Sequence, residues 1–196
     1  PLSVSLDCQR FSANINGTDP EEFPPIPTVD EGATIKVDPQ LLKDTVTHVA
    51  FAAATEDSRP VLTGIKVEVN QSDFTFAAAD GFRLAVYEGK LLEPISEAME
   101  FIIPAKALQE VGRLIGTGDT AVEFTVTPAG THALFNIGNV EIVSQLMPGS
   151  FPNFRSLIPA EYKNRVIVQN SDFSRAVKTS SIFARDGSGI LRIQIV

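Results

Sequence analysis

One pattern recurs three times along the chain: a short run of β-branched residues, a polar break and an amphipathic segment. The copies are TIKVDPQLLKDTVTHVAFAA, FIIPAKALQEVGRLIG and RVIVQNSDFSRAVKTSSIFA. With the last residue of each apolar run as the mark, Val37, Ile103 and Val168 stand 66 and 65 residues apart. Near-equal steps of that size mean a single supersecondary unit used repeatedly, so the fold has to be assembled from copies of it.

Between the amphipathic segments lie strands separated by turn signals. After the first come VLTGIKVEV, DFTFAAA and FRLAVYEG; after the second come AVEFTVT, THALFNI and VEIVSQL. Alternation in AVEFTVT, with Val122, Phe124 and Val126 in phase, and in IKVEV marks sheets with one buried face. Each unit therefore reads βαβββ, and two units, roughly residues 33–159, make an α+β domain with internal pseudo-symmetry. Residues 1–17 read as a helix-free hairpin, followed by the proline- and acid-rich linker TDPEEFPPIPTVDEG. The third unit is expected to break off after its second strand, GILRIQIV. Both ends fall inside strand patterns, whereas domains tend to end in polar, loosely packed tails, so a fragment of a longer protein is expected. The expected organisation is 1–27, the end of one domain and the start of a linker; 28–160, a complete domain; and 161–196, the beginning of a third.

Charge and composition narrow the function. The chain carries a formal net charge of −8, which argues against coating nucleic acid by bulk attraction and confines any DNA contact to one local face. No apolar run approaches the ~20 residues needed to cross a bilayer, and the N-terminus lacks a basic segment followed by an apolar one. One cysteine and two distant histidines, His48 and His132, offer no metal-ligand cluster, and a reducing cytoplasm is expected. Glu56, Asp57 and Asp80 with His48 supply acid–base groups, but there is no nucleophile elbow, Walker loop or dinucleotide motif, and GTGDT lacks the lysine of a phosphate loop. Neither catalysis nor a cofactor is expected.

Two features stand out as places where something docks. The stretch TFAAADGFRLAVYEG, residues 75–89, sets Asp80-Gly81 between strand-forming runs, a short-hairpin signal because a tight turn needs the positive φ that glycine tolerates. Just past the turn come Phe82, Arg83 and Leu84. Strand alternation sends Phe82 and Leu84 to one side and Arg83 to the other, which makes the apolar pair either core or an exposed docking edge. The second feature is the polar faces of the helices. Lys106, Gln109 and Arg113 fall at i, i+3 and i+7, opposite Ala107, Leu108, Val111, Leu114 and Ile115. Arg175 and Lys178 similarly oppose Phe173, Ala176 and Val177, while in the first helix Lys43 sits beside Asp44 and a neutral Thr47. Such faces belong either to ordinary solvated helices or to a modestly basic surface that attracts DNA without gripping it.

The segments EDSRPVLTGIKVE, AAADGFRLAV, IIPAKAL and GSFPNFRSLIP, in this order and spacing, resemble the bacterial DNA polymerase III sliding clamp (beta subunit) family. The similarity covers essentially the whole chain. It implies the DNA clamp fold, with antiparallel sheets outside and helices lining the inner face of a head-to-tail homodimeric ring. Through the ring passes double-stranded DNA, held without sequence preference and without chemistry. On this reading Lys43, Lys106, Arg113, Arg175 and Lys178 face the DNA.

The resemblance also implies a pocket for short linear peptides from the DNA polymerase III alpha subunit, the clamp loader and other clamp-binding-motif proteins. Position by position it falls on Leu62, Ala79, Gly81, Phe82, Arg83, Leu84, Pro152, Ser156 and Leu157. Two residues depart from the family: histidine often stands where this chain has Phe82, and arginine where it has Ser156. The resemblance further implies cytoplasmic, nucleoid-associated residence with no membrane partner, and a fragment of this extent is not expected to close the ring by itself. The competing reading is a peptide-binding adaptor that has the clamp architecture but does not encircle DNA.

Overall fold

The computed structural model describes residues 2–23, 31–56, 58–118, 121–184 and 189–194. Asp57, residues 24–30 of the expected linker with the 27/28 boundary, and the last two residues of the expected strand GILRIQIV lie outside them. The chain divides into two compact units, Pro1–Phe154 and Arg155–Val196.

In the first unit the elements run β1 (Ser3–Cys8), β2 (Phe11–Asn16), β3 (Ala33–Val37), α1 (Pro39–Val49), β4 (Gly64–Asn70), β5 (Asp73–Ala79), β6 (Leu84–Lys90), β7 (Met99–Pro104), α2 (Ala105–Leu114), β8 (Val122–Val126), β9 (His132–Ile137) and β10 (Val140–Gln145). The expected order βαβββ is present twice, β3-α1-β4-β5-β6 and β7-α2-β8-β9-β10. β1 and β2 form a separate, fully exposed antiparallel hairpin.

The helices begin where the sequence stops them from beginning earlier. Asp38 caps α1 by accepting from the Leu41 N–H at 2.8 Å, and Pro39 stands in the first turn, where its missing N–H costs nothing. Leu42, Val46 and Val49 then bury one face of α1, and Leu108 and Val111 bury the matching face of α2.

The sheets do not follow the repeat. One four-stranded antiparallel sheet has the order β10-β9-β8-β3 and the other β6-β5-β4-β7, so the first strand of each half pairs into the other half's sheet. Val37 lies opposite Val122 and Ile103 opposite Ile65. The exchange is clamped at both margins by equivalent bonds: Leu92 N donates to Lys36 O at 2.9 Å, and Met147 N to Ile102 O at 2.8 Å. Neither half can complete a sheet alone, and the repeat is thereby locked into one domain.

Alternate residues of both sheets meet α1 and α2 in the main core. Ile65, Val67 and Val69 on β4, Phe74 and Phe76 on β5, and Val122, Phe124 and Val126 on β8 are all buried. Phe124 stacks on Phe135 at 5.4 Å between ring centres. A smaller cluster, Leu62, Ala77, Ala79, Ile102, Phe151 and Phe154, holds a strap that follows β10. Burying a residue such as Phe154 contributes about 1.5–3 kcal/mol, which fastens the strap.

The second unit carries α3 (Asn170–Ala184), the third amphipathic segment. Its expected flanking strands are a correction. Residues 165–168 pair with no strand, and the described part of the final segment, residues 189–194, is likewise unpaired. A run of β-branched residues makes a strand possible, but a ladder exists only where a partner edge lies alongside. Val166, Ile167 and Val168 are exposed, and α3 buries none of its residues.

Candidate functional site

The hairpin between β5 and β6 is wider than a two-residue turn. Ala79 pairs with Leu84, which leaves Asp80, Gly81, Phe82 and Arg83 as a four-residue loop in which only Gly81, at φ 94°, has positive φ. The side chain of Asp80 organises it. Its Oδ1 accepts from the N–H groups of Phe82 at 2.9 Å and Arg83 at 3.0 Å, and its Oδ2 accepts from Arg83 Nε at 2.9 Å. The backbone donors of Phe82 and Arg83, followed by the Arg83 guanidinium, stabilise the carboxylate and hold the Asp80 pKa below its usual range.

Arg59, next to Pro60 at the start of a single helical turn, closes the loop from behind. Its Nη2 donates to the Asp80 carbonyl at 3.2 Å. Glycine suits position 81 for its positive φ, and a Cβ there would lie 2.7 Å from the same nitrogen and make the Arg59 head group shift. The Arg83 guanidinium lies over the ring of Phe51, 5.5 Å from its centre, a cation–π contact with a ring that is itself half exposed.

This loop pushes Phe82 into solvent: it is 98% exposed. The strand alternation that placed Phe82 beside Leu84 fails because Phe82 belongs to the loop, not to β6. Leu84 is partly buried against the smaller cluster, where Leu62 and Ala79 are buried outright. A cavity of about 190 Å³ opens beside the loop, lined by Ala53, Ala54, Thr55, Glu56, Ser58 and Arg59 together with Asp80, Phe82 and Arg83. Of the expected peptide-site residues, then, Phe82 and Arg83 line the cavity, whereas Leu62 and Ala79 are buried in the smaller cluster. Pro152 is exposed on the strap. Ser156 and Leu157 belong to the second unit, and Leu157 is exposed.

Arg59 and Phe51 did not emerge from the sequence as site residues. Arg59 stood within EDSRPVLTG, and an arginine directly before a proline is a signal for a fixed, extended presentation. Phe51, just beyond the last turn of α1, gives no signal, since only its contact with Arg83 distinguishes it. Of the acid–base groups, Glu56 and Asp80 line the cavity beside the loop, Asp57 lies outside the described residues, and His48 is engaged elsewhere. His48 stacks on Tyr87 at 5.8 Å and donates through Nδ1 to the Asp44 carbonyl, while Asp80 is committed to its own loop.

The helix faces are largely as expected, with their charges engaged. Lys106, Gln109, Glu110 and Arg113 form the exposed face of α2. Arg113 is held by Glu110, with Nε at 2.8 Å and Nη2 at 2.7 Å from the same Oε2. Lys43 bonds across to the Ile115 carbonyl at 3.2 Å, at the C-terminal end of α2 where a cation offsets the helix dipole. Within α3, Arg175 lies 3.8 Å from Asp172.

A second cavity, about 240 Å³, lies under the strap. One wall is Lys66, which bridges Glu68 at 2.9 Å and Glu100 at 3.3 Å. Burial pulls the Lys66 ammonium down, but the two carboxylates outweigh it and its pKa is raised. Among the described residues no group of histidine, cysteine or acidic side chains is placed to hold a metal ion, and no helix is long and apolar enough to cross a membrane.

Residues 36–153 match the family described as DNA polymerase III beta subunit, central domain. The chain is 34% identical over 174 residues to a beta sliding clamp of Bacillus subtilis, a match covering 89% of this chain and 46% of that protein. It is 33% identical to a beta sliding clamp of Staphylococcus aureus, covering 89% and 45%. The crystal structure of the DNA polymerase sliding clamp from Bacillus subtilis superposes with a TM-score of 0.82 at 32% identity, over 94% of this chain and 48% of that one. A beta subunit structure from Thermotoga maritima gives 0.80 at 26% identity, over 95% and 50%. The chain thus spans about half the length of the relatives it matches.

Proposed function

The chain belongs to the DNA polymerase III beta subunit family, and from that membership we propose that it serves as part of a DNA sliding clamp. In this role it is a non-catalytic processivity factor of the cytoplasm and nucleoid. Two full-length copies join head to tail around duplex DNA and tether the DNA polymerase III alpha subunit, the clamp loader and other proteins bearing a clamp-binding peptide. Residues 28–160 form the central clamp domain, 1–27 the end of the preceding domain and 161–196 the start of the next.

The observation that carries this reading is the pairing of halves. Because the halves exchange their first strands, α1 and α2 are brought into contact as one layer, and α2 turns Lys106 and Arg113 to solvent. An acidic protein with a few cations gathered on a helical face attracts a phosphate backbone without reading bases. The Asp80–Arg83 loop supplies the peptide contact through Gly81, Phe82, Arg83 and Leu84, and Leu62 and Ala79 pack with Leu84 in the smaller cluster. Pro152, Ser156 and Leu157 are assigned to the same site on the family resemblance.

Loading the full-length protein onto nicked circular DNA tests the ring. Retention on circles and loss when they are linearised is the expected result. Equal retention on both forms means gripping rather than encirclement, and no retention on either, with peptide binding intact, leaves the adaptor reading.

A further inference from the structure

The cations expected to face DNA are mostly occupied from within the protein. Lys43 is drawn to the Ile115 carbonyl, Arg113 holds one oxygen of Glu110 through both Nε and Nη2, and Arg175 lies near Asp172. In α2 and α3 the acid precedes its arginine by three residues, so each pair closes along the helix surface. Both members of the α2 pair are well exposed, Arg113 at 68% and Glu110 at 57% of the side chain, and nothing in the core needs either. A pair this open contributes little to folding. Its effect falls on whatever approaches the face.

We infer that Glu110 sets how weakly the α2 face holds DNA, by occupying the Arg113 guanidinium and competing with phosphate for it. The inference rests on the reading of that face as DNA-facing and names the residue that tunes it. With its Nε–Nη2 edge on the Glu110 carboxylate, the guanidinium offers a phosphate only its remaining N–H groups, and it has to release or share the Glu110 oxygen before that edge can take phosphate. A phosphate arriving at Arg113 also meets the Glu110 charge. The cation therefore attracts the duplex at a distance but does not become a full phosphate contact, which suits a surface that has to let DNA move past. Lys106, two turns before Arg113 on the same face, has no such acid bound to it among the described residues and is the contact Glu110 leaves intact.

The test is equilibrium binding of the full-length protein to a short fluorescent duplex as salt is varied, comparing wild type, Glu110→Gln, Arg113→Gln and the double variant. Each fully engaged phosphate contact steepens the slope of log affinity against log salt by ~0.9, so Glu110→Gln should add about that much, or a three- to fourfold larger loss between about 50 and 200 mM salt. The double variant should bind like Arg113→Gln alone, because the gain comes from the freed guanidinium. An unchanged slope in Glu110→Gln, while Arg113→Gln weakens binding, overturns this inference and leaves the DNA-facing assignment standing. An equal gain with and without Arg113 also overturns it, since Glu110 would then act only as a background charge. No response to either substitution removes α2 from the DNA face, and the inference falls with that assignment.

Discussion

Asp80 shows how one side chain can define a presentation site. Its carboxylate accepts three bonds from two residues of its own loop, and those bonds hold Phe82 in solvent and Arg83 over Phe51. Because the folded pKa is lowered, the contribution of this network is present above the unfolded value, about 3.9, and is lost as pH falls through the lower folded value. Amide shifts of Phe82 and Arg83 in a pH titration should therefore inflect below the ordinary aspartate range, with no such inflection in Asp80→Asn. An inflection at or above that range would mean the bonds do not persist in solution. Phe82→Ala should change unfolding free energy by less than about 0.5 kcal/mol, since the ring packs on nothing. It should weaken a peptide ending in leucine or phenylalanine about three- to tenfold if an aromatic contact is lost, as read by chemical-shift titration. A loss of stability to match would place Phe82 in the fold rather than at the binding edge.

At the scale of the element, the sheets are fixed by facing residues that tolerate no substitute. Phe74 lies opposite Gly89 across β5 and β6, and a Cβ at Gly89 would come within 2.3 Å of the Phe74 ring, which is buried. Gly89→Ala should therefore displace a core aromatic and cost about 1–3 kcal/mol. The expected signature is a lower urea midpoint with an unchanged slope. An unchanged midpoint would show that β6 can slide away from β5. Charged pairs work across strands as well: Lys36 on β3 meets Glu93 at 3.1 Å and Glu123 on β8 at 3.7 Å, and the Glu93 hydrogen bond leads the raising of its pKa. That contribution is present below the unfolded lysine pKa and is lost only as pH rises through the higher folded value.

For the molecule as a whole, the proposed DNA face on α2 has to act within an acidic chain of net charge −8. Reversing Lys106 and Arg113 to glutamate in the full-length protein should weaken loading onto DNA at low salt, with the difference shrinking near physiological ionic strength as exposed charges are screened. Loading that is equal at every salt concentration would put this face on an ordinary outer surface. The pair Lys106 and Arg113 suffices for the test because Lys43 is bonded to the Ile115 carbonyl.

The order of elements in the first unit, its two βαβββ halves, the amphipathic faces of α1 and α2 and the position of the hairpin loop were legible in the sequence. All of these follow from periodicity and turn chemistry within a few residues, as in Val122, Phe124 and Val126 or Asp80-Gly81. Tertiary structure alone decided which strand edges meet. β3 and β7 carry the same kind of apolar run whether they pair within their own half or across to the other, so only closure of the shared core selects the exchange. The same reason explains why residues 165–168, which carry the β-branched run Val166, Ile167 and Val168, stand unpaired. It also explains Arg59 behind Gly81, Lys43 on Ile115 and Arg83 over Phe51: each contact joins segments distant in the chain, and no local pattern encodes a partner that arrives only when the layers pack.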